Sequence, residues 1–420
     1  MAETDLLPAA TDPQPEAAEP ADIGVAVATH NNADTVGELV RAVEEGLSRG
    51  FPGRRGLLLH ADLDSADGSA AAVRAAVTDP SRLLQVLIAG DPGRPAALSR
   101  AAVLGAFFTR ARRLGLRAFA VIDPELSGLK PEAIGGMLSP VLDRELDFVA
   151  PYYGRPRFAG ALTSGTVYPL VRSLFGRRLR QPGAGEFACS ARFIDQCMAG
   201  PPWQSGESRI AADLGLGIRA LTGGFRLGQA WVGHRTPRTS DTGTELSGVV
   251  AGVLQACFAA AERNLHWQKI RGSEPVELIG APEPAGPDGA PIDVRRSLEA
   301  FRFGQQHLGK VWDRILAPTA TLEFRRLSRS GDDEFRVPDE LWARTVYDFL
   351  LVYHARSMSR EHLLPAFTPL YLGWLGSFVS ELEHADAAGT ERRIEELSLR
   401  FEAEKPYLIS RWRWPDRFSP

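Results

Sequence analysis

Residues 21–43 read Ala-Asp-Ile-Gly-Val-Ala-Val-Ala-Thr-His-Asn-Asn-Ala-Asp-Thr-Val-Gly-Glu-Leu-Val-Arg-Ala-Val, and residues 56–69 read Gly-Leu-Leu-Leu-His-Ala-Asp-Leu-Asp-Ser-Ala-Asp-Gly-Ser. An apolar run, Ile23–Ala28, predicts a buried strand. It ends in the polar turn Thr29, His30, Asn31, Asn32, which opens an amphipathic helix over Thr35–Arg49. A second apolar strand, Gly56–Leu59, runs out into Asp62 and Asp64. In open α/β sheets ligands bind outside the carboxyl ends of the strands. Polar residues after both strands therefore point to a nucleotide pocket, with Thr29, Asn31 and Asp62 as candidate ligand contacts.

The same alternation continues outward. Strands are predicted at Leu84–Ala89, Ala118–Ile122, Phe148–Ala150 and Ala230–Val232, and helices at Gly68–Val77, Ala96–Leu114 and Pro131–Leu142. The fold class is α/β, a mostly parallel Rossmann-like sheet. After about Thr239 the strand signal stops. Leu246, Val249, Val250, Val253, Leu254, Cys257, Phe258, Ala261 and Leu265 keep one helical face apolar, and further helices follow over Val294–Leu316, Pro338–Ala355, Ala366–Glu383 and Thr390–Glu404. Asp339 and Thr390 stand where N-caps belong, and the Pro-, Gly- and Ala-rich stretch Gly280–Pro291 reads as a connection inside the helical part. The expected organisation is a disordered acidic tail (1–21), a sheet domain (22–240) and an all-helical domain (241–420).

Composition narrows the partners. The chain has 420 residues, enough for two cores, and a net charge of -4, which gives nucleic acid no electrostatic foothold. Cys189, Cys197 and Cys257 lack metal or disulfide spacing and read as buried thiols in the cytoplasm. No apolar run of about eighteen residues is seen, so no membrane span is expected, and no basic, apolar leader precedes the first strand. No Gly-x-Gly-x-x-Gly follows the first strand, which argues against a dinucleotide dehydrogenase. Oligomeric state is left open.

Acidic residues sit at further strand ends. Asp123 and Glu125 follow the strand 118–122, and Asp213 lies in Ala-Asp-Leu-Gly-Leu late in the sheet domain. Two carboxylates one residue apart past a buried strand can reach a hard divalent cation, Mg²⁺ or Mn²⁺, that bridges diphosphate oxygens. The competing reading of Asp-Pro-Glu is a solvated turn.

With these residues in place the chain resembles GT-A glycosyltransferases of the mannosylglycerate and glucosylglycerate synthase group. The likeness runs from Asp22 to the C-terminus. It is carried by the first strand–turn–helix, Asp62–Gly68, Arg180-Gln181-Pro182-Gly183-Ala184-Gly185-Glu186-Phe187, Gly304 in Phe-Arg-Phe-Gly, and Asp339-Glu340-Leu341-Trp342-Ala343-Arg344. The resemblance implies a GT-A domain with an appended helical domain, and retaining, metal-assisted transfer of a hexose from a nucleotide-diphosphate sugar to a small hydroxylated acceptor such as glycerate. It implies donor contacts at Thr29, Asn31, Asp62, Arg94 and Asp123, and metal ligation by Asp123, Glu125 and, given a rearranged loop, His234. Acceptor contacts fall to Arg155, Arg157, Thr163, Gln181 and Gly185, and catalytic placement to Glu186 and Asp213. Three positions depart from the family pattern. Asp123-Pro124-Glu125 replaces Asp-x-Asp, Gly93-Arg94-Pro95 replaces Gly-Lys-Gly, and Pro237 stands where the family has a metal-binding histidine. A divergent, non-catalytic homologue that binds a nucleotide sugar or a protein partner is the alternative these departures leave open.

Overall fold

The computed structural model describes residues 20–86, 88, 100–126, 128–199, 209–235, 243–283 and 291–413. Arg94 and Pro237 therefore lie outside the described residues, as does all but the last part of the N-terminal tail. The strands are β1 (Ile23–Thr29), β2 (Gly56–Asp62), β3 (Leu83–Gln85), β4 (Ala118–Ile122), β5 (Phe148–Gly154), β6 (Arg177–Arg178), β7 (Phe187–Ser190), β8 (Leu227–His234), β9 (Glu274–Pro275) and β10 (Glu277–Ile279).

The chain divides into two compact units. The first comprises Met1–Gly154, Gly183–Arg235 and Val276–Glu283, and the second Arg155–Pro182, Thr236–Pro275 and Pro284–Pro420. The boundary expected at 240 is thus crossed on both sides: 155–182 joins the helical unit, and 276–283 returns to the sheet. The stretch near Gly280 begins with an edge strand, β10, which pairs in parallel with β8. Its three residues are too short for the pattern of alternation to show.

The first unit is a mixed eight-stranded sheet in the order β10-β8-β5-β7-β4-β1-β2-β3, flanked by helices. Central strands are covered on both faces, which is why they read as unbroken apolar runs: every residue of β1 and β4 is buried. The helix Val36–Gly50 lays Val36, Leu39, Val40, Val43 and Leu47 on this core, together with Ile134 and Leu138 of the helix Pro131–Asp143. β7 runs antiparallel to both β4 and β5. Phe187–Ser190 was not foreseen, because four residues carry too little period to separate from the neighbouring helix. From β1 the chain moves to β2 and β3 on one side, then crosses back to β4 on the other. The sheet order therefore reverses at the β1–β4 seam, the kind of position outside which open α/β sheets bind ligands.

The second unit is helical, with helices Tyr168–Phe175, Gly243–Arg263, Val294–Trp312, Pro318–Leu327, Asp339–Ala355, Thr368–Glu381 and Ala387–Arg413. Its core stacks Trp342 on Trp374 (5.3 Å between centroids) and Phe301 on Trp312 (6.1 Å). Gly304 lets its helix reach Pro369, against which a Cβ would stand at 2.9 Å from Cγ. Asp339 is the first helical residue after the Pro338 cap and pairs with Arg393 at 2.6 Å, rather than capping. Thr390 lies inside its helix and donates to the Asp386 carbonyl. The stretch Arg360–Glu381 is apolar enough to cross a bilayer by length and composition. It is 78% buried within the structure, so a packed core accounts for it. The three thiols are free and buried, as expected.

Candidate functional site

The loops after β1 and β2 are held as one piece. Thr29 Oγ1 donates to Asp62 Oδ1 (2.7 Å) and faces His60 Nε2 at 2.9 Å. Ser65 donates to Asp62 from both its amide (3.0 Å) and its hydroxyl (2.7 Å). Burial pushes the Asp62 carboxyl up, but these donors outweigh it and hold the group below its ordinary range. Burial lowers the His60 pKa, and its ring lies between Thr29 Oγ1, 2.9 Å from Nε2, and Gln85 Oε1, 3.1 Å from Nδ1. Asn31 adopts φ 56°, a left-handed conformation that Asn tolerates. It accepts from the Ala66 amide (2.9 Å) and donates its own amide to Ser65 Oγ (3.0 Å). Thr29, Asn31 and Asp62 therefore lie together at the carboxyl ends, with much of their bonding capacity spent on shaping the loops.

At the reversal seam, Thr35 Oγ1 donates to the Pro124 carbonyl (3.1 Å), tying the turn after β1 to the turn after β4. Asp123 is 3% exposed, and its Oδ1 accepts the Glu125 amide at 3.0 Å, the local bond that closes the Asp-Pro-Glu turn. Gly185 passes so close that a Cβ there would stand 3.0 Å from Asp123 Oδ2. The loop before β7 thus brings Glu186, 1% exposed, to the same place.

Arg235 connects the two carboxylates. Its Nη1 donates to both Glu186 oxygens at 3.1 Å, and its Nη2 to Asp123 Oδ2 at 3.3 Å. The Tyr153 hydroxyl donates to Glu186 Oε2, and the guanidinium lies over the Tyr153 ring at 5.3 Å. Burial drives the Glu186 carboxyl up to about 7, Arg235 opposing and Asp123 adding to the rise. Burial works against the Arg235 charge, yet Glu186, Asp123 and Glu125 raise its pKa above the ordinary arginine value. Asp213 is buried and pairs with Arg100 Nε at 2.9 Å, while Arg100 Nη2 donates to the Gly185 carbonyl at 2.6 Å. A buried aspartate is thereby neutralised and coupled to the loop carrying Glu186. It lies in the second turn of the helix Arg209–Thr222.

Sequence reasoning passed over Arg235, Arg100 and Tyr153. A signal for Arg235 existed: it follows the last residue of β8, and its amide continues the ladder to the Gly154 carbonyl (3.0 Å). His234 turns elsewhere, edge-on to Trp231 and 3.5 Å from Glu283, which Lys130 also binds at 2.9 Å. Asp123, Glu125 and His234 do not form one cage: among the described residues no three His, Cys, Asp or Glu side chains are grouped to hold a metal. Asp123 is already paired to a cation, Arg235, at 3.3 Å. A divalent ion about 4 Å from a guanidinium would meet a repulsion of about 8 kcal/mol at an effective dielectric near 20.

The remaining candidates lie in the second unit. Arg157 Nη1 donates to the carbonyls of Leu382 (3.2 Å), Glu383 (3.3 Å) and Ala385, closing the end of the helix Thr368–Glu381. Arg155 packs over Gly160, and Gln181 is buried at 5% exposure. Thr163 opens a π-turn, Thr163–Val167, built around Gly165. The Gly165 carbonyl accepts from Trp342 Nε1 at 2.8 Å. Gly185 alone of the acceptor-side candidates falls in the sheet unit.

No protein-family model and no curated protein matches the chain. Solved structures do. Glucosyl-3-phosphoglycerate synthase from Mycobacterium tuberculosis in complex with Mg²⁺ and UDP is 18% identical, the match covering 58% of this chain and 79% of that one, at a TM-score of 0.44. The same enzyme with Mn²⁺, UDP-glucose and phosphoglyceric acid is 19% identical, covering 58% and 79%, at 0.43. A mycobacterial protein is 20% identical, covering 58% and 75%, at 0.44.

Proposed function

We propose that the chain is a glycosyltransferase that moves a hexose from a nucleotide-diphosphate sugar to a small hydroxylated acceptor. The observation that carries this reading is the gathering of Thr29, Asp62, Asp123, Glu186 and Arg235 around the carboxyl ends of the strands, at the seam where the sheet order reverses. A protein that only needed stability would gain little from two buried carboxylates on one guanidinium, since such pairs seldom repay their desolvation.

In this reading the stiff β1–β2 loop pair receives the nucleoside, with the remaining acceptor capacity of Asp62 turned to its hydroxyls. Arg235 faces the diphosphate, where negative charge builds as the sugar departs. Glu186, with its pKa near neutrality, holds or releases a proton at a carboxyl oxygen bonded to Tyr153, a suitable poise for an acceptor hydroxyl. The Asp213–Arg100 pair fixes the Gly185–Glu186 loop. Asp123 and Glu125 are the residues that would hold a divalent cation, which would supply positive charge to the departing diphosphate. Retention of configuration and a glycerate-like acceptor rest on the family resemblance. Buried free thiols suit a reducing, cytoplasmic setting.

The test is a panel of nucleotide sugars with small hydroxy acids, following release of the nucleoside diphosphate. One donor should turn over, and Asp123→Asn should lose at least ~100-fold in kcat/KM, the scale of one charge-stabilising contact. No turnover with any donor, or full activity in Asp123→Asn, removes the proposal.

A further inference from the structure

We infer that Arg235 stands in for a divalent cation, so that this chain binds a nucleoside diphosphate without metal. The inference rests on the transferase reading above and deepens it by naming the group that meets the diphosphate.

Three observations converge. Asp123 and Glu186 are paired to one guanidinium through separate nitrogens, Nη2 and Nη1, so the fork of the arginine is matched to this pair of acids. The Arg235 side chain keeps 24% exposure, while those of Asp123 and Glu186 keep 4% and 0%. An anion entering from solvent therefore reaches the cation and not the acids behind it. The donor set for an ion is incomplete among the described residues, since His234 turns to Glu283 and no triad of ligating side chains is present. A planar guanidinium presents paired N–H donors to phosphate oxygens and is charged at every working pH, so it can supply both charge and geometry. Tyr153 beneath the guanidinium and the two carboxylates hold it in place before ligand arrives.

Calorimetry of the full chain with UDP, GDP and ADP tests this, each nucleotide run in EDTA and in excess Mg²⁺ or Mn²⁺. At least one should bind in EDTA within ~3-fold of its affinity with metal. Arg235→Lys, which keeps the charge and loses the fork, should weaken that binding by ~10-fold or more, the scale of a charge-assisted hydrogen bond. Arg235→Met combined with Glu186→Gln leaves one buried carboxylate without its guanidinium, Asp123, in place of two, and should abolish binding in EDTA, with circular dichroism confirming the fold. Binding that requires metal overturns the inference and leaves the transferase reading standing. So does unchanged binding in EDTA by the double variant. No nucleotide bound under either condition overturns both.

Discussion

Arg235→Met isolates the electrostatic core of the first unit. The substitution keeps the length of the side chain and removes the only cation bonded to Glu186 among the described residues, together with the Nη2 contact to Asp123. Both acids stay where they are, at 0% and 4% side-chain exposure. Removing one partner of a buried ion pair costs about 3–5 kcal/mol, because the remaining charge is uncompensated. For a unit of this size, about 2–4 °C accompanies each kcal/mol, so the melting temperature should fall by on the order of 10 °C. The pH dependence has a definite sign. The Glu186 carboxyl is raised from 4.5 to about 7, so between those values the folded state holds more protons than the unfolded, and stability falls as pH rises. Arg235 is the influence that lowers this pKa, so its loss raises it further and moves the decline to higher pH. Differential scanning calorimetry at pH 5.5 and pH 8 should therefore show the larger deficit at pH 8. Adding Glu186→Gln should recover a large part of it. A deficit under ~1 kcal/mol, equal at both pH values, would mean that water or another group screens these acids and that Arg235 is not matched to them.

Asp213→Ala should strand Arg100 against the Gly185 carbonyl and cost about 3–5 kcal/mol, read as a lowered melting temperature, with Arg100→Met in the same chain restoring much of it. In the helical unit, Lys405 Nζ donates to the carbonyls of Ser173 (2.5 Å), Ile270 (3.1 Å) and Leu174 (3.4 Å), and burial lowers its pKa to about 8. The unfolded chain then binds the extra proton between pH 8 and 10.5, so stability should rise with pH across that window. Lys405→Met should abolish that rise in chemical denaturation curves, and an unchanged slope would contradict the assignment. Gly165→Ala drives a methyl into the Trp374 indole and should destabilise the helical unit by about 1–3 kcal/mol or more in thermal melts.

The legible and illegible parts divide by range. β1, β4 and the helix Pro131–Asp143 were read within a residue or two, because each carries a full local pattern: a buried run or an apolar stripe at helical spacing. β2 ran on through His60 and Ala61 to Asp62, since the Thr29–His60 contact buries a histidine that sequence alone scores as polar. β7 and β10 escaped because their pairing partners lie far away in the chain and their own lengths are short. Among the site residues, Asp62 and Asp123 were legible as acids at strand ends, Asp213 as an acid late in the sheet domain, and Glu186 through the family resemblance alone. Their partners were not: Asp123 and Arg235 are 112 positions apart, and Arg100 and Asp213 are 113 apart. His234, read as a ligand given a rearranged loop, lies instead 3.5 Å from Glu283.

By itself the amino-acid order determined that strands and helices alternate, that the chain turns helical past the last long strand, and that acids stand at the strand ends. These follow from hydrophobic period and turn chemistry, which act over a few residues. Which cation answers those acids was decided only when the folded sheet brought the end of β8 beside the end of β4. A Coulomb interaction depends on distance in space, and separation along the backbone carries no trace of it.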